Sequence, residues 1–471
     1  MAAILNVLNT VLGFAYDHIL SITMMVLMIA VGAYLTFKTR LFQFRKFGTV
    51  MKNTVGSLFD RKNHEKSGSG VSPFQAVTTA LAGTIGTGSI AGLATALVSG
   101  GPGAIFWMWV SALLGMVTKY SEIVLSLKYR EKTVGGSYVG GPMYYIKNGL
   151  GVKWLAAVFS VFAMIACIGT GNATQSNSIS GAIERSFGVA PWITGIVLTV
   201  IVGTVILGGV KRIASVNEKL VPVMAIFFIL ASAAALCVNA GKIPEAFALI
   251  FREAFNLRAA FGGAAGYGIM AAMRYGVGRG VFSNEAGLGS APIAHAASNT
   301  EEPVKQGMWG VFEVFFTTIV ICTMSALVVL TSDIYLSAFH AGVEPSVSGA
   351  ALSGAAYGEA IPVVGEMGIA VATVFFALST ILGWAYYGEV CISYVFKNHA
   401  LGAVAVYRLV YVAFVFIGAV AEIKTVWLVA DCFNVLMAVP NLIALIALSG
   451  VVVQATKEYF AKKHPLRGEK L

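Results

Sequence analysis

Stretches of about 20 apolar residues recur from one end of this chain to the other with little charge inside them, and that pattern limits the fold more than any other feature. A helix of about 20 residues crosses the roughly 30 Å of hydrocarbon in a bilayer. Composition agrees: 57% of the residues are hydrophobic and 11% are charged, against about 25% charged in a soluble domain. A soluble core of this size would show shorter apolar elements separated by polar faces. The chain therefore reads as an all-α polytopic membrane protein.

About eleven spans are expected: 15–37, an interrupted 72–98, 103–127, 153–182, 191–210, 218–240, an interrupted 265–299, 306–331, 364–395, 402–422 and 426–453. The basic, amphipathic stretch 41–57 is expected to lie along the membrane surface. No cleavable signal peptide is expected, because the N-terminus lacks a basic region before its first apolar run.

The net charge of +10 does not point to nucleic acid, since Lys and Arg fall in short connections without a basic face. They report topology instead. Lys38, Arg40, Arg45, Lys46, Lys52, Arg61, Lys62 and Lys66 fall on one side, with Lys128, Arg130, Lys132, Lys211, Arg212 and Lys219. Lys457, Lys462, Lys463, Arg467 and Lys470 in the tail join them. The other side has Arg185, Lys242, Arg252, Arg258 and Lys424, and its loop 332–363 has no Lys or Arg. This bias places the N-terminus outside and the C-terminus in the cytoplasm, in the cell (inner) membrane. The five cysteines are single residues within apolar runs, which argues against structural disulfides and a zinc site.

The interrupted spans resemble each other: Gly86-Thr87-Gly88-Ser89 matches Gly287-Leu288-Gly289-Ser290, about 200 residues apart. Five spans separate the two starts and five run from the second start to the end. An odd number reverses the direction of entry, so the halves form an inverted repeat with broken first helices, a transporter signature. The expected organisation is 1–70 (an extra helix and the surface segment), 71–240 (first five-helix repeat), 260–453 (second repeat) and 454–471 (basic tail).

Four stretches carry candidate chemistry. In ALAGTIGTGSIAG (80–92) the glycines let the backbone unwind. Unwinding frees amides around Thr87–Ser89 for a carboxylate and carbonyls around Ala82–Ile85 for a cation or ammonium group. Close packing of small residues would also explain these glycines. In GVGRGVFSNEAGLGSAPIAH (276–295), a backbone break is expected over 282–287, and Ser283, Asn284 and Glu285 sit at membrane depth, where a carboxylate normally has a partner or a task. Helix capping is the plainer role for these three. Arg274 and Arg279 are expected in structural or gating ion pairs. IGTGNATQSN (168–177) offers Asn172, Gln175 and Asn177 as uncharged donors and acceptors, with Asn172 and Gln175 one turn apart on one face and interhelical hydrogen bonding an equal alternative. FALSTILGW (376–384) puts the Ser379 and Thr380 hydroxyls side by side as hard ligands fit for sodium, unless they bond back to the i−4 carbonyl. Trp384, one turn on, would cap a pocket.

No nucleophilic triad at spanning depth, P-loop or HExxH is present, which leaves no enzyme and no ATP-driven pump in the reading.

GRGVFSNEAGLGSAPIAHAA (278–297), GTIGTGSIAG (83–92) and GGPMYYIKNGLG (140–151) resemble the alanine or glycine:cation symporters, also called sodium:alanine symporters. That family is similar in fold to the LeuT-like transporters of the amino acid–polyamine–organocation superfamily. The resemblance implies that the Thr87 and Gly88 amides hold a substrate carboxylate. It gives the substrate ammonium to the carbonyls of Thr84, Phe282 and Ser283. It implies a sodium ion on the Ala82 and Ile85 carbonyls with the Ser379 and Thr380 hydroxyls, and a pocket lined by Gln175 and Trp384. Gly83 departs from the pattern, standing where several relatives have a polar side chain for a second sodium. The implied activity is import of a small neutral amino acid (alanine or glycine) with sodium by alternating access, without other cofactors. A proton-coupled carrier using Glu285, or a channel, remains the alternative; the exact amino acid and tolerance for the D-enantiomer stay open.

Overall fold

A computed structural model of the protein describes residues 2–58, 71–133, 135–256 and 268–463. Arg61, Lys62, Lys66, Arg258, Arg467, Lys470 and the first residues expected in the second interrupted span (265–267) lie outside them. The apolar elements are, in order, α1 (Asn9–Lys38), α2 (Pro73–Thr84), α3 (Ala91–Gly100), α4 (Gly103–Lys128), α5 (Lys153–Phe187), α6 (Pro191–Ile206), α7 (Gly209–Val238), α8 (Ile269–Asn284), α9 (Ala291–Ala296), α10 (Pro303–Leu330), α11 (Val364–Val395), α12 (Ala400–Val420) and α13 (Thr425–Ala447). Eight of them, among the described residues, are long and apolar enough to cross a membrane.

The others are short for identifiable reasons. α2 has 12 residues and α3 has 10; at 1.5 Å per residue each reaches only about 15–18 Å, half a bilayer. α8 and α9 are similarly two pieces of one element. The start of α2 is specified locally: Pro73 occupies its first turn, and Ser72 and Gln75 form a reciprocal capping box.

Phe42–Arg45 and Phe47–Asn53, in the segment expected at the membrane surface, are two short helices. Phe42, Gln43 and Val50 are buried, with the Gln43 amide donating to Thr36 and to the Leu113 carbonyl. The lysine-free loop after α10 holds two further helices, Asp333–Ala341 and Gly349–Ala360. A two-stranded antiparallel ladder pairs Glu131 with Val139 and Lys132 with Tyr138 in the connection after α4.

Packing encloses the interrupted elements. α8 and α10 lie along α4, α11 packs against α2, α5 and α7, α12 against α6, and α13 against α5. Residues 75–94 and 279–297 are almost all buried. Both interruptions therefore sit at the centre of the bundle.

Candidate transport site

The first interruption runs from Ile85 to Ile90. The Ile85 amide makes the last α2 bond, to Leu81, and the backbone then turns extended at Gly86 (φ −109°, ψ −162°) before a tight turn at Thr87–Ser89. The carbonyls of the last α2 turn are thus left without helical donors. One of them has found side chains: the Ala82 carbonyl accepts from the Thr380 hydroxyl at 2.8 Å and the Ser379 hydroxyl at 3.4 Å. Oxygens about 3 Å apart are the spacing found around a cation held at about 2.4 Å. Both hydroxyls also donate to the Phe376 carbonyl at 2.9 Å, so the i−4 bonding foreseen for Thr380 coexists with the contact across helices.

On the amide side, Gln175 meets the break. Its side-chain oxygen accepts from the Thr87 amide (3.2 Å) and the Thr87 hydroxyl (2.9 Å), while its nitrogen donates to the Thr170 carbonyl (3.0 Å). A carbonyl at Thr170 and an amide at Thr87 permit only that orientation of the Gln175 amide. Gly88 is a close-approach position: a Cβ there would lie 2.9 Å from the Phe282 ring.

The second interruption runs from Glu285 to Ser290, three residues beyond the stretch 282–287 expected from the sequence. Phe282 and Ser283 are in the last turn of α8, where carbonyls lose their helical donors. Glu285, Gly287 and Gly289 take φ of +58°, +90° and +81°, conformations natural to glycine and costly for a side chain. Glu285 has partners for both oxygens, the Trp384 indole N–H (2.7 Å) and the Ser290 hydroxyl (2.6 Å). Asn284 acts as a cap, accepting from the Ala286 amide (2.9 Å) and donating to Thr318 (3.0 Å). The Gly289 amide donates to Glu122 (3.0 Å). The second interruption is closed by acidic side chains, whereas the first is met by a neutral amide. The two touch through Ser89 and Ser283, whose hydroxyls are 3.0 Å apart.

The structure thus gathers Ala82, Thr84, Thr87, Gly88, Gln175, Phe282, Ser283, Ser379, Thr380, Glu285 and Trp384 into one buried region. Ile85 ends α2, and Gly83 lies against Glu285 and the Tyr387 hydroxyl. Asn172 lies elsewhere. Residues Gly169–Ala173 form a wide turn within α5, which changes the spacing that would have put Asn172 on the face of Gln175. Asn172 donates to the Tyr411 carbonyl (2.6 Å), and Asn177 to Gly418 and Ala421 on the α12 side. Both join helices.

Sequence reasoning missed the charges that hold this region. Lys119, within α4, contacts Thr84, Asn284 and Glu313; Glu313 meets His295, and His295 meets Gln306. All are buried. Isolated charges inside apolar runs were the available signal.

The two arginines singled out from the sequence do form ion pairs. Arg274 binds Asp17 of α1, and Arg279 binds Asp431 of α13 through two bonds of 3.0 and 2.9 Å. Arg279 also lies over the Trp427 ring, which packs at a tilt against Phe282. This pair lines a cavity of about 690 Å³ shared with Thr95, Asn177, Tyr275 and residues 9–17 of α1.

Paired half-helices buried at the centre of a polytopic bundle are the arrangement of the LeuT-like fold. MhsT in complex with L-phenylalanine shares the fold, with a TM-score of 0.52 at 14% identity over 83% of this chain and 99% of that one. Residues 4–470 match the sodium:alanine symporter family. Among relatives, the sodium/alanine symporter AgcS of Methanococcus maripaludis is 44% identical over 96% of this chain and 97% of its own. The probable sodium/glutamine symporter GlnT of Bacillus subtilis is 38% identical over 97% and 92%. The chain belongs to the sodium:alanine symporter family. It is a multi-pass membrane protein and a sodium-coupled amino-acid symporter, not an enzyme.

Proposed function

We propose that the protein imports a small neutral amino acid (alanine or glycine, with D-alanine a candidate) together with sodium by alternating access. The observation that carries this reading is that one buried interruption, Ile85–Ile90, offers both poles a zwitterion and its ion require. Substrate carboxylate binds the Thr87 and Gly88 amides with Gln175, and substrate ammonium binds the carbonyls of Thr84, Phe282 and Ser283. Sodium binds the carbonyls of Ala82 and Ile85 with the Ser379 and Thr380 hydroxyls. Asn284 and Glu285 shape the second interruption beside them, and Asn172 contributes only indirectly.

Small size follows from the walls. Trp384 packs so closely on α5 that a Cβ at Gly171 would lie 2.2 Å from its own Cβ, and its indole is tied to Glu285. A side chain fixed in this way supports a pocket that takes a small substrate. Coupling arises because sodium and substrate favour the same ordered interruption, so each raises the affinity for the other. The halves 71–240 and 260–453 act as inverted repeats around that centre, with 1–70 and 454–471 as additions. The N-terminus is outside and the C-terminus cytoplasmic in the cell membrane, as the Lys/Arg bias requires, which makes the 690 Å³ cavity the outer approach.

Uptake of labelled alanine into proteoliposomes tests this. An inward sodium gradient should drive accumulation, and choline in its place should abolish it. Accumulation driven by a pH gradient in choline would transfer the coupling to protons at Glu285.

A further inference from the structure

Lys119, midway along α4, has no place in the transport reading above. It is wholly buried; its ammonium donates to the Thr84 hydroxyl (3.0 Å) and the Asn284 carbonyl (2.9 Å), and it stands 3.0 Å from the Glu313 carboxylate as an ion pair. Thr84 is the last residue of α2 and Asn284 the last of α8. Two of the three partners are therefore the positions at which the two helices stop.

The placement has an electrostatic logic. The C-terminal end of a helix carries about half a negative charge on its unpaired carbonyls. A cation set between two such ends stabilises both interruptions at once. The third partner extends the connection: Glu313 also meets His295 Nε2 at 2.9 Å, and His295 belongs to α9, beyond the second interruption. Gln306 holds the other ring nitrogen of His295 at 2.9 Å. An ion pair that served only to neutralise Glu313 would need neither Thr84 nor Asn284.

We propose that Lys119 is a positioning residue of the transport cycle, a fixed internal cation that holds the ends of both interrupted helices in register, so that ordering at the first is transmitted to the second. This rests on the sodium-coupled reading of the first interruption. Loss of Lys119 then loosens the link between sodium and substrate, not merely the fold.

The test separates those two roles. Lys119→Met alone leaves Glu313 buried without its cation, so the informative variant is Lys119→Met with Glu313→Gln, because removing both partners of a buried pair is far better tolerated than removing one. The double variant should keep the thermal stability of the parent in detergent. Its half-saturating sodium concentration for alanine uptake should rise by about tenfold, within the usual range for coupling between sites, and sodium should no longer lower the KM for alanine. Thr84→Val keeps the ion pair and removes only one acceptor; it should shift half-saturation in the same direction, and it decides the matter alone if the double variant does not fold. Unchanged sodium dependence in the folded variants would overturn the proposal. If uptake by the parent itself ignores sodium, the transport reading fails instead.

Discussion

Gly86→Ala is the substitution whose effect the geometry specifies most closely. The backbone at Gly86 is extended with negative φ, so an alanine brings no dihedral strain there. The added methyl does bring a collision: its carbon would stand 2.6 Å from the Thr380 hydroxyl oxygen and 3.4 Å from the Gln175 side-chain oxygen. Non-bonded heavy atoms prefer about 3.5 Å or more, so the Thr380 oxygen must withdraw by close to an ångström. It is held by bonds to the Ala82 carbonyl (2.8 Å) and the Phe376 carbonyl (2.9 Å), and rotation about its Cα–Cβ bond breaks the first. Losing that contact costs about 1 kcal/mol, and an off-rotamer side chain about another 1 kcal/mol. About 2 kcal/mol corresponds to roughly thirtyfold in affinity. Glycine-to-alanine substitution also restricts the unfolded chain, by about 0.4–1 kcal/mol, which offsets only part of that loss, so the melting temperature should fall by a few degrees. Sodium titration of alanine uptake, beside a thermal melt of the same preparation, gives both quantities. A folded variant whose half-saturating sodium concentration is unchanged would refute the assignment of Thr380 and Ala82 to the ion.

Four further outcomes are expected. Ser379→Ala with Thr380→Ala should weaken sodium dependence more than it weakens alanine affinity at saturating sodium; equal losses would argue against the ion assignment. Gly289→Ala combines a φ of +81° with a Cβ 2.4 Å from Pro142, and the backbone conformation alone costs about 1–3 kcal/mol, so its melting temperature should fall; an unchanged melt would contradict the backbone described here. Arg279→Ala leaves Asp431 buried without its partner, at a cost of about 3–5 kcal/mol, and Asp431→Ala added to it should recover most of that loss in the melt. Trp384→Phe removes the donor to Glu285, a bond to a charged group that contributes about 1.5–3 kcal/mol. Alanine KM should rise and the melting temperature should fall; a variant with both unchanged would contradict the Trp384–Glu285 bond.

The interruptions were legible in the sequence because glycine marks them: Gly86 permits the close approach of Thr380 and Gln175, and Gly287 and Gly289 adopt the left-handed backbone of the second. The adjacent hydroxyls at 379–380 were legible from chemistry alone. Position was less exact, since Phe282 and Ser283 complete a helical turn before Glu285 ends it. Asn172 illustrates the limit of periodicity: the wide turn at Gly169–Ala173 changes the face, and no residue type announces such a turn. Lys119, Glu313, His295 and Glu122 were overlooked for a different reason. They stand in apolar helices, and their meaning lies in partners far along the chain, such as the 165 positions between Lys119 and Asn284 and the 319 between Glu122 and Asn441. Only the packing of α4 against α8, α10 and α13 supplies them.

Equilibrium binding of labelled alanine to the purified protein bears most directly on the first interruption as a joint seat for ion and substrate. Saturable binding in sodium, near absence of binding in choline, and loss of that difference in the Ser379→Ala, Thr380→Ala variant are the predicted results. Equal affinity in choline, or full sodium-dependent binding in that variant, would contradict them.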